Sequence, residues 1–353
     1  MIKTVLEQND IETVIHNLNL ENPETAVGVR VRIKEKDLPA ALSIVEEVEK
    51  EWEKQAQKEN PLRGKTILIP VGLSDQINAV CKYGFHYAKK LEAHVVFLHA
   101  YLTPAYTITS ASNTEINTYS LTDTETLRRI VRTNNADVEN LTNLIKKWID
   151  SGEIPNVNFR FEMREGVAED EILAYCKKEM PALIIMGTHS KHPKGDNMLG
   201  SVTAEVLEAS PAPVMAISSE IEMQPDDIRR VAFLTNFDQK DLIAIDSAIS
   251  FLKNDNFEMT FIHAAEQKDS WDEVMLSGIK TYFANHYPDV KTDYAFLRKD
   301  GNLDRIQSFL ETSKIDLVAL NTKKRSLIAR FFNQGIATKL LFNIDTPLLV
   351  MRV

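Results

Sequence analysis

The sequence predicts an α/β protein that contains two tandem parallel five-stranded sheets and a small N-terminal α/β segment. Short, nearly continuous apolar runs, which are typical of strands buried on both faces, alternate with helical patterns. This alternation occurs twice along the chain, and the copies align without a gap from Met186 and from Leu320 onward. Alternating strands and helices indicate βαβ units, and their repetition indicates a duplicated domain.

Five apolar runs predict the strands of each copy, in matching order. In the first copy they occupy residues 67–74, 95–100, 157–163, 182–186 and 214–217. In the second copy they occupy residues 231–238, 259–264, 290–297, 317–320 and 348–353. Helical periodicity lies between the runs and is carried by two sets of residues: Leu141, Leu144, Ile145 and Trp148, then Ile306, Phe309 and Leu310.

A chain of 353 residues is too long for a typical single core. The repeat predicts domains at residues 64–219 and 228–353, with a short polar linker between them and a separate segment at 1–60. The fifth strand of each copy is apolar and would be an open edge if it had no partner. We therefore expect strands 214–217 and 348–353 to dock the two copies as an intramolecular pseudo-dimer; a further homodimer stays open.

Two segments fall outside the repeat. Residues 1–60 predict a helix over 10–18, a strand around 27–33 and a second helix around 42–52, and the polar stretch 55–63 is interpreted as a linker. Residues 102–137 are rich in Thr, Ser and Asn and predict a long loop. A loop of that length inside a compact domain is usually functional or disordered.

Composition excludes several classes of protein. The formal net charge of −10 disfavours broad binding to nucleic acid or to an anionic membrane. Two cysteines are too few for a disulfide framework, and no apolar run approaches the roughly 18 residues of a membrane helix. The N-terminus has no apolar signal-peptide core. These features together predict a cytoplasmic protein whose unknown partners are neither nucleic acid nor membrane.

The loop after the fourth strand carries the candidate ligand-binding residues. Gly187, Ser190, Gly200 and Ser201 have spacings that suit a phosphate-cradling loop leading into a helix. Glycines let backbone N–H groups approach a phosphate closely, and a helix N-terminus adds partial positive charge. The alternative is that Gly187 and Gly200 only shape turns. The second copy has Asn321, Lys324, Gln334 and Gly335 at these positions.

These residues resemble the signature of the universal stress protein family, G-x2-G-x9-G-[ST], followed by a helix and a proline-led strand. The chain resembles the tandem form of that family, over about residues 64–219 and 228–353, with Ser190 in place of one glycine. The resemblance implies Rossmann-like domains and ATP bound over this loop in the first domain, and no nucleotide in the second. Gly72 occupies the position where nucleotide-binding members usually carry an aspartate, so we include it in the site.

The N-terminal segment resembles small α/β modules described as signal-transducing domains, through residues 32–42. It is not part of the repeat.

Four histidines invite a catalytic or metal-binding interpretation. His189 and His192 flank Ser190, but no cysteine or closely spaced carboxylate completes a metal set, which favours exposed loop histidines. His99 and His263 end equivalent strands, and this symmetry favours a structural hydrogen bond over catalysis.

The chain contains no Ser-His-Asp ordering, nucleophile elbow or P-loop lysine motif. We therefore expect a non-enzymatic stress-response regulator that senses adenine nucleotide through its first domain. The alternatives are a scaffold, or a carrier of an apolar ligand, in which neither domain binds nucleotide. A weak nucleotide hydrolase is disfavoured because no general base is identifiable.

Overall fold

The computed structural model of the chain contains two compact units, Met1–Arg63 and Gly64–Val353. In the first unit it describes residues 6, 7, 9, 11–17, 29–32, 34, 40 and 44. In the second it describes residues 64–72, 77–102, 106–112, 115–121, 124–188, 201–218, 221–235, 239–252, 256–265, 270–298, 304–321 and 346–352.

The first unit contains a two-stranded antiparallel sheet of β1 (Val14–Asn17) and β2 (Val29–Arg32). The predicted strand around 27–33 is confirmed by β2. The predicted helix over 10–18 is wrong, because β1 occupies its centre. Thr13, Val14 and Ile15 are three β-branched residues in a row, and such side chains favour strands over helices. The second predicted helix lies mostly outside the described residues, although positions 40 and 44 are helical.

The second unit begins with the elements of the first repeat. Its strands and helices alternate as predicted, with an additional hairpin. In chain order they are β3 (Thr66–Pro70), α1 (Asn78–Lys90), β4 (His94–Tyr101), β5 (Tyr106–Ser112), β6 (Glu115–Leu121), α2 (Thr124–Asp150), β7 (Phe159–Glu165), α3 (Ala168–Glu179), β8 (Leu183–Thr188), α4 (Ser201–Ala209) and β9 (Val214–Ser218).

The second repeat follows with the same alternation. In chain order its elements are β10 (Arg230–Leu234), α5 (Gln239–Leu252), β11 (Glu258–Ala265), α6 (Ser270–His286), β12 (Lys291–Arg298), α7 (Asp304–Thr312), β13 (Leu317–Asn321) and β14 (Leu348–Met351). The predicted α/β class with mostly parallel strands is therefore confirmed.

The two repeats share one ten-stranded sheet in the order β12-β11-β10-β13-β14-β9-β8-β3-β4-β7. Every neighbouring pair is parallel except β14 and β9, which pair antiparallel with Leu349 opposite Met215. The predicted pairing of the two fifth strands is thus confirmed. Each half has five parallel strands, and the antiparallel junction makes them continuous.

Alternate residues of the strands point to opposite faces of this sheet, and each face carries its own apolar cluster. Ile67, Ile69 and Leu349 belong to one cluster, and Leu68 and Val350 belong to the other. Both clusters contain residues from both repeats, so the apolar packing on each face continues across the β9–β14 junction. The same faces are covered by helices, as expected when βαβ crossovers lie on both sides of a parallel sheet.

The segment that joins the repeats is packed against the protein. Ile228 is fully buried, and Tyr83 of α1 donates its hydroxyl hydrogen to the Met223 carbonyl at 3.2 Å. His86 of α1 lies 3.5 Å from the Asp226 carboxylate. The predicted linker is therefore anchored to the first helix by both apolar and polar contacts.

The long loop predicted at residues 102–137 is wrong for most of its length. This segment contains the first half of α2 and the antiparallel hairpin β5–β6. In the hairpin, Tyr106 lies opposite Leu121 at one end and Ser112 lies opposite Glu115 at the other. Its Thr and Asn residues are individually poor helix formers, which concealed the helix. Helix α2 is stabilised further along, where Leu141 and Ile145 are buried against the sheet.

Within the described residues, no helix combines the length and apolar character needed to cross a membrane. Both cysteines are buried without a disulfide. Burial raises the pKa of Cys81 and raises that of Cys176 to about 12. Both therefore remain protonated thiols near neutral pH, and neither is an activated nucleophile.

Deleting residues 1–60 is expected to leave the remaining chain cooperatively folded. The boundary between the compact units falls at Arg63 and Gly64, and the ten-stranded sheet is built entirely from later residues. Thermal unfolding followed by circular dichroism checks this. A truncated chain that loses its sharp transition would show that the segment completes the main core.

Candidate functional site

Each half of the sheet has one place where the strand order reverses. In the first half this point lies between β3 and β8, and in the second half it lies between β10 and β13. In open α/β sheets, ligands bind in the crevice beyond the carboxyl ends of the strands at such points. The two halves therefore offer two equivalent locations for a site.

Pro70 distinguishes the first location from the second. Val71 N–H donates to Leu98 of β4, so the preceding residue faces β8, and proline has no N–H to donate. Pairing between β3 and β8 accordingly ends at Leu68–Ile184. In the second half, where the corresponding residue is Leu234, pairing continues through Leu234–Leu320. The proline thus ends the β3–β8 ladder at the carboxyl edge of the first half.

Gly187 lies at this edge in extended backbone that any residue adopts. A methyl group at this position would lie 3.6 Å from Val80 Cγ1, which is an ordinary van der Waals contact. Neither the backbone conformation nor the space left by the described neighbours therefore requires glycine at position 187. A group that approaches the backbone from outside would require it.

Helix α4 begins beside Gly187. The buried Thr203 in its first turn donates its hydroxyl hydrogen to the Gly187 carbonyl oxygen at 3.1 Å. This bond fixes the helix N-terminus against the end of β8. The N–H groups of a first helical turn have no intrahelical partners and carry partial positive charge, so they favour an anion here.

Three of the five predicted site residues lie in the described structure. Gly72 follows β3 and is half-buried, Gly187 lies in β8, and Ser201 is the first residue of α4. The loop residues Ser190 and Gly200 lie outside the described residues, as do His189 and His192.

His99 and His263 make the structural hydrogen bonds that their symmetry predicts. His99 Nδ1 lies 3.0 Å from the Val71 carbonyl oxygen, and His263 Nδ1 lies 2.9 Å from that of Thr235, with a separation of 28 positions in both cases. A carbonyl only accepts, so Nδ1 carries the proton in each ring. Each histidine ties the end of one strand to the end of its neighbour.

Three buried polar side chains lie at the second location. Thr235 Oγ1 donates to Asp241 Oδ2 at 2.8 Å, and Asn321 Nδ2 donates to Asp241 Oδ1 at 3.2 Å. All three residues are about 5% exposed. The corresponding residues of the first repeat are Val71, Ile77 and Gly187, none of which has a polar side chain.

This buried cluster was missed in the sequence, although one signal for it was available. Aligning residue 67 with residue 231 places Asp241 against Ile77, so a carboxylate occupies a helix position that is apolar in the other copy. Buried carboxylates are rare unless they are hydrogen-bonded or paired. That substitution, together with Asn321 in place of Gly187, marks a site with altered chemistry.

Comparison with known proteins gives the first repeat a family. Residues 64–218 match the model of the universal stress protein family. A universal stress protein of Methanothermobacter thermautotrophicus is 37% identical over 70 residues, which are 20% of this chain and 47% of that protein. This alignment therefore spans about half of that relative's length. A universal stress protein of Methanocaldococcus jannaschii is 25% identical over 156 residues, 43% of this chain and 81% of that protein.

Similarity among solved structures extends over more of the chain. The crystal structure of a universal stress protein from Archaeoglobus fulgidus superposes with a TM-score of 0.62 at 16% identity. The alignment covers 82% of this chain and 98% of that one, a larger share than residues 64–218 contain. At this identity the likeness concerns the fold alone. Residues 64–218 therefore form a domain that matches the universal stress protein family.

Proposed function

We propose that the chain is a non-enzymatic stress-response regulator whose first repeat binds an adenine nucleotide. The phosphates would lie over Gly187, Ser190, Gly200 and Ser201, at the N-terminus of α4. The base and ribose would lie toward Gly72 at the end of β3. Three structural features support this placement: the reversal of strand order, the interrupted β3–β8 ladder, and a helix N-terminus held beside a glycine.

Gly187 is the observation that carries the proposal. Strand interiors disfavour glycine, because it costs backbone entropy and contributes no packing. The described neighbours of Gly187 leave ordinary contact distance for a methyl group, so packing does not explain the residue. Close approach of a ligand does explain it, since a phosphate held by backbone N–H groups needs the space that a Cβ atom would occupy.

We further propose that residues 228–353 are a second, degenerate domain of the same family. The five-stranded halves have corresponding strand orders, and the structural alignment covers more of the chain than the first repeat. Asn321 places a side chain where Gly187 has none, and the buried Asp241 carboxylate would repel a phosphate. This half would therefore pack against the first without taking nucleotide.

Replacing Gly187 with alanine is expected to weaken ATP binding about tenfold to a hundredfold without loss of stability. The methyl group fits the described structure but displaces a phosphate from its backbone donors. Losing a charge-assisted hydrogen bond costs roughly 1.5–3 kcal/mol, which corresponds to this range. Isothermal titration calorimetry measures the affinity, and thermal unfolding measures the stability.

Gly278→Ala is the matched control, because it makes the same change in α6 of the second repeat, where the added methyl group would meet no described atom within 4 Å outside its own stretch of helix. It should leave ATP affinity unchanged. Equal affinity in wild type and in Gly187→Ala would remove the site from this edge. If the wild-type chain takes up no adenine nucleotide, the scaffold or apolar-carrier function replaces this proposal.

A further inference from the structure

The buried polar cluster of the second repeat (Thr235, Asp241 and Asn321) has an orientation that chemistry fixes. An ionised carboxylate only accepts hydrogen bonds, so the Asn321 amide must turn its nitrogen toward Asp241 Oδ1, at 3.2 Å. Turning the amide over would place two oxygens against each other. The amide oxygen of Asn321 is therefore not the atom that contacts Asp241 Oδ1.

That oxygen is buried and has no hydrogen-bond partner within the described part of the chain. Asn321 is only 5% exposed, so bulk water does not satisfy it. Leaving a buried polar group unsatisfied costs about 1–3 kcal/mol. Buried polar atoms of folded proteins nearly always have a partner, and each exception calls for an explanation such as an ion, a ligand or a water molecule.

The location of this oxygen points to a ligand. Asn321 ends β13 and Thr235 follows β10, so the cluster lies at the reversal of strand order in the second half. The corresponding crevice of a doubly wound sheet is where ligands bind. The cluster is thus the counterpart of the proposed nucleotide site, but with acceptor groups in place of backbone donors.

We propose that the cluster binds a small cation or the ammonium group of an amine, through Asn321 Oδ1 and the carboxylate of Asp241. Both groups are oxygen acceptors, and the carboxylate adds negative charge that excludes phosphate. The burial of Asn321 and Asp241 limits the bound group to the size of an ion or an ammonium group. The second repeat would then bind a cationic group where the first binds an anionic one.

A tightly held divalent or transition metal fits the cluster less well. Such sites need several charged or imidazole ligands, and no group of three His, Cys, Asp or Glu side chains suited to a metal occurs among the described residues. One carboxylate with neutral oxygens suits a singly charged ion or an ammonium group. This choice defines the probes.

The test is the unfolding temperature of the full chain in ammonium, methylammonium, potassium or sodium chloride, relative to tetramethylammonium chloride at equal ionic strength. Tetramethylammonium carries charge but is bulky and has no N–H to donate. A ligand that binds only the folded state stabilises it. We expect at least one of the four cations to raise the wild-type midpoint by about 2 °C or more.

Asn321→Leu should abolish this increment in the unfolding midpoint. Asp241→Asn keeps the size of the side chain but removes its charge, so it should reduce the increment. Asn134→Leu is the matched control, because Asn134 in α2 also has a buried unpartnered atom, but that atom is the donor nitrogen. It should leave the increment unchanged. Because the readout is the difference between salts, a lower absolute stability of a variant does not affect it.

The salts also separate the two sources of the ligand. An increment with methylammonium assigns the site to amines, and an increment confined to potassium, sodium or ammonium assigns it to free ions. Equal midpoints in all five salts would overturn the proposal and leave a buried water molecule as the partner of Asn321. An increment that persists in Asn321→Leu would also overturn it, by placing the cation elsewhere.

Discussion

Replacing Leu349 with aspartate is expected to abolish the cooperative unfolding of residues 64–353. Leu349 is fully buried in β14, between β13 and β9 at the junction of the two repeats. Its neighbour across the antiparallel pair is the fully buried Met215. A carboxylate placed there would lose its hydration without gaining a charged partner, which costs several kcal/mol. That is a large fraction of the stability of an ordinary domain.

Leu349→Met is the control, because it nearly conserves volume and should cost less than about 1.5 kcal/mol. Urea unfolding followed by circular dichroism measures both variants, and size-exclusion chromatography detects aggregation through the freed strand edges. If Leu349→Asp unfolds at the wild-type urea concentration, the two repeats do not depend on this junction.

The sequence predicts the main sheet well, for reasons visible in particular residues. Strands such as β3 and β8 are buried on both faces, so they appear as unbroken apolar runs that stand out from the helices. The β9–β14 junction was predictable because two apolar fifth strands would otherwise be open edges. The hairpin β5–β6 was not, since its Thr- and Ser-rich strands have no apolar run. The strand β1 was missed because four residues carry little periodicity.

The candidate site was only partly predictable. Gly72, Gly187 and Ser201 could be placed at one edge because the carboxyl ends of parallel strands meet there. The contact of Asp241 with Asn321 joins residues 80 positions apart, and only the register of the folded sheet brings them together. The effect of Pro70 on the β3–β8 ladder likewise depends on which neighbouring strand that residue faces.

The second large effect concerns nucleotide binding, where Gly200→Val is expected to abolish ATP binding. The family resemblance places the backbone of residue 200 against the phosphates, so a branched side chain there would occupy the space that they need. Gly335→Val makes the same change in the second repeat, beside the position that corresponds to Gly200. It should leave the affinity unchanged, because the second repeat is proposed to bind no nucleotide.

The reciprocal change should strengthen binding. Ser190→Gly combined with Gly72→Asp restores both family residues, and the new carboxylate can accept a hydrogen bond from the adenine or the ribose. One well-placed bond to a charged group is worth roughly 1.5–3 kcal/mol, or about tenfold to a hundredfold in affinity.

Isothermal titration with ATP on wild type and the three variants distinguishes the outcomes. Saturable binding that survives Gly200→Val would place the nucleotide elsewhere in the chain. If even the restored variant takes up no ATP, the first repeat does not bind nucleotide through this loop, and its exceptional glycine at position 187 must serve a different ligand.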